Sequence, residues 1–189
     1  MSINLKIKVH QTTLKDVLVI EPKVFGDERG WFYESFNQNK FEGVTGHQMA
    51  FIQDNQSFSS KGTLRGLHFQ KGEAAQSKLV RVVKGSAYDV AVDLRPDSPT
   101  FKQWYGVELS DENHLQFFIP RGFAHAFIAL EDNTIFQYKV DNYYSGVNDG
   151  GVIWNDPELA ITWPELKLEL SEKDKNLPKL KQLDINTLW

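Results

Sequence analysis

The chain has 189 residues, of which 41% are hydrophobic and 24% charged, which fits one globular domain spanning residues 1–189 with room for a core. A net charge of −4 with no basic run gives no nucleic-acid surface, and the absence of cysteine excludes disulfides, thiolate chemistry and Cys-ligated zinc. No stretch approaches the ~20 apolar residues of a membrane span, and Met1–Lys8 alternates apolar with polar and lacks the apolar core of a signal peptide, so a soluble, cytoplasmic protein is expected.

Strand signals dominate from the N-terminus onward. Leu18-Val19-Ile20 is a short apolar run ending at Glu21-Pro22. Asn37 to Glu42 reads as a short helix stopped by Gly43. Leu79 to Val83 and Ala87 to Leu94 are strands, and their junction at Lys84-Gly85 reads as a hairpin. In the second of them, alternation sets Asp89 and Asp93 on one face beside Ala87 and Ala91.

Trp104 to Leu109, Gln116 to Ile119, Phe123 to Leu130 and Thr134 to Val140 follow, each rich in β-branched and aromatic residues. Ser110 to Asn113 reads as one helical turn, and Ser171 as the opener of another in the tail. Many short strands bounded by Gly, Pro, Asn and Asp predict an all-β sandwich or barrel with a few short peripheral helices.

Pro120-Arg121-Gly122-Phe123-Ala124-His125 has the form P-x-G-x-x-H and resembles the second motif of cupins, which are jelly-roll barrels. In metal-dependent cupins that histidine is a ligand, with partners from an earlier H-x-H motif. Here the corresponding stretch is His68-Phe69-Gln70, with glutamine where the second histidine would stand. A catalytic metal takes about three protein ligands. His68 and His125 supply two, so no metal is expected.

A longer series of stretches resembles the dTDP-4-dehydrorhamnose 3,5-epimerase family, a branch of that fold. They are Phe25 to Gly30, Gln53-Asp54-Asn55, Leu64 to Gln70, Lys78 to Arg81, Asp89 to Arg95, Ile119 to His125, Tyr138-Lys139 with Tyr143-Tyr144, Ile153 to Asp156 and Leu170 to Asp174. They occur in order across nearly the whole chain. The resemblance implies a cupin-like jelly roll that epimerises a dTDP-linked keto-sugar at C3 and C5. No cofactor is needed, because the C4 ketone of the substrate acidifies both neighbouring carbons.

Such chemistry needs a base on one face of the sugar, a group that holds the enolate, and an acid on the other face. Histidine titrates near neutral pH, which suits His68 as the base. The resemblance pairs Asp174 with it, as a carboxylate that orients the ring. It gives Tyr138 the role of acid and Lys78 that of the cation beside the oxyanion. Alternation on the strand sets Tyr138 on the same face as Phe136.

For the nucleotide and sugar, the resemblance implies Arg29, Arg65 and Lys173 for phosphate or sugar contacts, with Arg65 also a candidate for the enolate. It implies Glu34, Gln53 and Asn55 for thymidine or sugar, Tyr144 with Phe32 for stacking on the base, and His125 for facing the sugar. Asp149 stands where the family has a glutamate. Relatives exchange N-terminal strands, so Arg29 and Glu34 are expected to reach a neighbouring subunit in a homodimer. Neither nucleic acid nor membrane is expected as a partner. Three other readings are an epimerase of one centre only, a keto-isomerase on the same scaffold, and a sugar-nucleotide-binding protein without activity.

Overall fold

The computed structural model describes residues 7–189, so most of the alternating Met1–Lys8 stretch lies outside the described residues. The chain runs through β1 (Lys8–Gln11), β2 (Leu18–Glu21), β3 (Phe25–Asp27), β4 (Gly30–Phe32), α1 (Gln38–Thr45), β5 (Gln53–Ser59), β6 (Leu64–Gln70), β7 (Lys78–Lys84), β8 (Ser86–Asp93), β9 (Trp104–Ser110), β10 (Gln116–Ile119), β11 (Phe123–Ala129), β12 (Thr134–Val140), β13 (Asp149–Gly151) and α2 (Glu172–Lys175). Two antiparallel sheets form a cupin-like jelly roll. One has the order β1-β2-β10-β7-β12-β5 and the other β13-β6-β11-β8-β9, while β3 and β4 form a separate two-stranded sheet.

The apolar faces of the two sheets meet in a core that includes Val80, Val82, Ala87, Ala91, Phe117, Phe127 and Phe136. Phe136 is fully buried, and its ring stacks on Phe127 with centroids 4.0 Å apart. The outer face of the five-stranded sheet is covered as well. Leu67, Phe69, Val90, Val92 and Leu94 pack there against Leu159, Leu180, Leu188 and Trp189 of the C-terminal segment. Strand β8 is therefore apolar on both faces, and the alternation that sets Asp89 beside Ala87 and Ala91 turns this carboxylate inward.

The Lys84-Gly85 junction is not a hairpin. Both neighbours of β7 are β10 and β12, and both neighbours of β8 are β11 and β9, so the two strands belong to different sheets. Gly85, at φ 78°, turns the chain from one sheet to the other, and a Cβ there would lie 2.8 Å from Thr134 Oγ1. The predicted helix at Asn37 starts as expected, with the Asn37 side chain accepting from Lys40 N–H, but it continues through Gly43 and ends at Gly46. Gly46 has the left-handed geometry of a helix C-cap, at φ 75°. Ser110 to Asn113 forms one hydrogen-bonded turn, in which His114 N–H donates to Ser110 O. Ser171 caps α2 by accepting from Asp174 N–H.

Candidate active site

Strand β6 was not legible as a strand, yet it carries the centre of the site. It pairs with β11 so that His68 stands opposite His125 and Arg65 opposite Phe127. Three steps on β6 are matched by two on β11, a β-bulge. Strict alternation would put Arg65 and His68 on opposite faces of the sheet. The extra residue resets the parity, so both face inward. Gly66 sits in this bulge at φ 124°, and a Cβ there would meet His125 O and the Ala126 Cβ at 2.5 Å. Glycine is required by the backbone conformation and by the close approach.

Between the sheets lies a cavity of about 300 Å³ lined by Ser57, Arg65, His68, Lys78, His125, Phe127, Tyr138, Ser171, Lys173 and Asp174. Seven of these are residues that the sequence singled out: Arg65, His68, Lys78, His125, Tyr138, Lys173 and Asp174. Ser57, Phe127 and Ser171 are additions. Ser57 is two positions beyond Asn55 on β5, where strand alternation puts it on the same face.

His68 and Asp174 form a pair, with His68 Nε2 2.5 Å from Asp174 Oδ1. Ser171 Oγ donates to the other carboxylate oxygen, Oδ2, at 2.8 Å. Burial pushes the Asp174 carboxyl up, but hydrogen bonds from His68 and Ser171 and the charges of His68 and Lys173 carry it below the usual 3.8. The carboxylate is therefore ionised at neutral pH and fixed at both oxygens.

His125 forms a second, deeper pair. Its Nε2 lies 3.0 Å from each oxygen of Asp89. Burial lowers the His125 pKa and raises that of Asp89, and the attraction between the two groups opposes both shifts. Lys78, on the facing sheet, is brought down to about 8 by burial, with Asp89 and Asp149 pulling the other way. It remains a cation at neutral pH. Tyr138 is pushed above its usual value by burial, against the opposing charge of Arg65, so its phenol keeps the proton. Tyr138 and Lys78 come from the six-stranded sheet, and His68 and His125 from the five-stranded one. The cavity thus has a histidine–carboxylate pair on one wall, a protonated phenol on the facing wall, and an ammonium beside the phenol, its Nζ 5.8 Å from the Tyr138 ring centre. This equipment can move a proton off one face of a bound carbon acid, hold negative charge, and return a proton to the other face.

Gln53 and Asn55 extend from Ser57 along the same face of β5, and Asn55 stands opposite Tyr138 on β12. Gln53 Nε2 donates to Asn55 Oδ1 at 3.0 Å, and Gln53 Oε1 accepts from Tyr144 N–H at 3.3 Å. The Tyr144 ring is exposed. Asp149 stands opposite Gln70 in the β13–β6 pairing and holds Lys173 by a salt bridge. Gln70 is buried and fully engaged, accepting from Ser145 N–H at 2.8 Å and donating to Asp149 Oδ1 at 3.3 Å. The position of the cupin's second histidine thus serves to hold a loop. Among the described residues, no group of three His, Asp or Glu side chains converges as a metal site would require.

Three of the singled-out residues lie away from the cavity of their own chain. Arg29 pairs with Asp27 at 2.5 Å in the turn between β3 and β4. Phe32, on β4, is 68% exposed. Glu34 binds Lys40 Nζ at 2.8 Å at the foot of α1. Among the described residues, no helix is long and apolar enough to cross a membrane.

Comparison with known proteins agrees with this geometry. The sequence pattern of the dTDP-4-dehydrorhamnose 3,5-epimerase family matches residues 11–182. The dTDP-4-dehydrorhamnose 3,5-epimerase of Escherichia coli (strain K12) is 54% identical over 178 residues, covering 94% of this chain and 96% of its own. The crystal structure of the enzyme of that name from Elizabethkingia anophelis superposes with a TM-score of 0.89 at 54% identity, over 93% of this chain and 97% of its own. The dTDP-6-deoxy-D-glucose-3,5-epimerase of Legionella pneumophila, solved in complex with dTDP-4-keto-L-rhamnose, superposes with a TM-score of 0.94 at 46% identity, over 97% of each chain. By its sequence pattern, its fold and its relatives, the chain belongs to the dTDP-4-dehydrorhamnose 3,5-epimerase family.

Proposed function

We propose that this isomerase converts dTDP-4-dehydro-6-deoxy-D-glucose to dTDP-4-dehydro-L-rhamnose, a step of dTDP-L-rhamnose biosynthesis. His68 removes the proton from C3 or C5, and Asp174 stabilises the imidazolium that forms. The electron pair moves into the C4 carbonyl, giving an enolate beside the Lys78 ammonium. Tyr138 then delivers a proton from the opposite face, which inverts the carbon. Arg65 shares the enolate or a phosphate, and His125 faces the sugar. Repeating the cycle at the second carbon completes the double epimerisation. The substrate's own ketone is the electron sink, so the chemistry needs no redox cofactor.

The observation that carries this reading is the opposition of the His68–Asp174 pair on one sheet to Tyr138 and Lys78 on the other. The ligand of the Legionella neighbour, dTDP-4-keto-L-rhamnose, supports the substrate. In the same reading Lys173, held by Asp149, contacts a phosphate or the sugar, Gln53 and Asn55 the thymidine or sugar, and Tyr144 the base. Arg29, Phe32 and Glu34 complete the site of a neighbouring subunit in a homodimer with exchanged N-terminal strands. The exposure of Trp31 and Phe32, at 58% and 68%, supports a partner for this hairpin.

The test is incubation with the substrate in D₂O, followed by NMR. Deuterium at both C3 and C5 is expected. Uptake at one carbon only points to a single-centre epimerase, and no uptake leaves a binding protein.

A further inference from the structure

The hydroxyl of Ser57 is the one buried side-chain polar atom without a hydrogen-bond partner among the described residues, and Ser57 lines the catalytic cavity. An unpaired buried hydroxyl costs stability, about 1–3 kcal/mol in general, so such groups are rare in folded proteins. Its neighbours on β5 are differently placed. Ser59 Oγ accepts from Arg65 Nε at 3.3 Å, and Asn55 accepts from Gln53. Position 57 stands opposite Phe136 on β12, so its side chain faces a fully buried aromatic ring on one side and the cavity on the other. The protein around it offers no partner.

We propose that Ser57 is a sugar-binding residue, whose hydroxyl is satisfied by a hydroxyl or keto oxygen of the hexose when substrate is bound. This rests on the functional reading given above. A cavity of about 300 Å³ has room for the sugar ring but not for the whole nucleotide sugar. Groups in its floor therefore meet the hexose, while the diphosphate and base lie further out. Ser57 shares the cavity with His68, Lys78 and Tyr138, the residues of the proton transfers. The unpaired hydroxyl is the mark of a site prepared for its ligand: the free protein carries the penalty, and the complex relieves it.

The experiment is Ser57→Ala, with three readouts. The variant should convert dTDP-4-dehydro-6-deoxy-D-glucose with kcat/KM lowered about tenfold, the usual scale for a lost neutral hydrogen bond. Its Kd for dTDP, which lacks the hexose, should stay within about twofold of the wild type. Its Tm should equal or exceed that of the wild type, because an unpaired polar group has been removed from the free protein. The inference is overturned by kcat/KM within about twofold of the wild type, by weakened dTDP binding, which assigns the hydroxyl to the nucleotide, or by a lowered Tm, which gives it a structural partner. A wild-type protein that leaves the substrate unchanged sinks the functional reading itself, whereas an active wild type with an equally active Ser57→Ala sinks only the role of Ser57. Should Ser57→Ala fail to fold, Ser57→Cys, near in size and a weak donor, carries the same expectations.

Discussion

His68 Nε2 and Asp174 Oδ1 stand 2.5 Å apart although 106 residues separate them in the chain. The strand β6 brings the imidazole, and the short helix α2 brings the carboxylate. With one ring nitrogen held by Asp174, the other, Nδ1, is the atom that the proposed mechanism uses as the base.

His68→Asn is expected to abolish deuterium uptake from D₂O at both C3 and C5, with a fall in kcat of about 10²–10⁴-fold, the usual contribution of a general base. Binding of dTDP, followed by calorimetry, should be nearly unchanged, because the nucleotide makes its contacts elsewhere. Normal exchange in this variant refutes the base assignment.

Tyr138→Phe separates exchange from inversion. His68 still opens the enolate, exchanges the abstracted proton with solvent and returns deuterium to the same face, so deuterium uptake with retained configuration persists. Formation of the L-rhamnose configuration should fall by about 10²–10⁴-fold. Inversion at the wild-type rate would leave Tyr138 as a core aromatic beside Phe136.

Lys78 is expected to set an alkaline limb of activity. Burial holds its pKa at about 8, below the usual 10.5, so the ammonium is lost as pH rises through about 8. Full activity is therefore expected below that pH with respect to this group, and kcat/KM should decline above it. Lys78→Arg keeps a cation that does not titrate in this range. It should lower the plateau, because the geometry changes, and shift the limb to higher pH. A limb at the same pH in wild type and Lys78→Arg would assign the titration to another group.

Ser171 supports Asp174 twice, accepting from its backbone N–H at 3.1 Å and donating to Oδ2 at 2.8 Å. Ser171→Ala should cost about 1 kcal/mol of stability at pH 7, a typical N-cap loss. The pH dependence follows from the direction of the Asp174 shift. A carboxyl held below 3.8 contributes stability that is present above that value and lost as pH falls through its lower folded value. Without the Ser171 bond the folded value rises toward 3.8 and part of that contribution goes. Urea unfolding between pH 7 and pH 3 checks this: the stability difference between wild type and variant should shrink at the acid end. A difference independent of pH would mean that Ser171 acts only as a helix cap.

Much of this was written locally. Runs of β-branched and aromatic residues between bounding turn residues located β10 and β12 to the residue, because such side chains favour the extended, pleated backbone. The capping roles of Asn37 and Ser171 were readable from side chains that bind their own backbone. The motifs with His68, Lys78, Tyr138 and Asp174 named the groups now found around one cavity. Other features were settled only by contacts between distant segments. β7 and β8 read as a hairpin, but strand partners are chosen across the whole chain, and both strands already have two elsewhere. Arg65 and His68 share a face only because β11 imposes a bulge at Gly66. The unpaired hydroxyl of Ser57 is invisible in sequence, since any serine can find a partner until the packing around it denies one. Local sequence sets periodicity and chemistry; which groups end within hydrogen-bonding reach is decided by long-range pairing, because the energy of a β-fold lies in contacts between residues far apart in the chain.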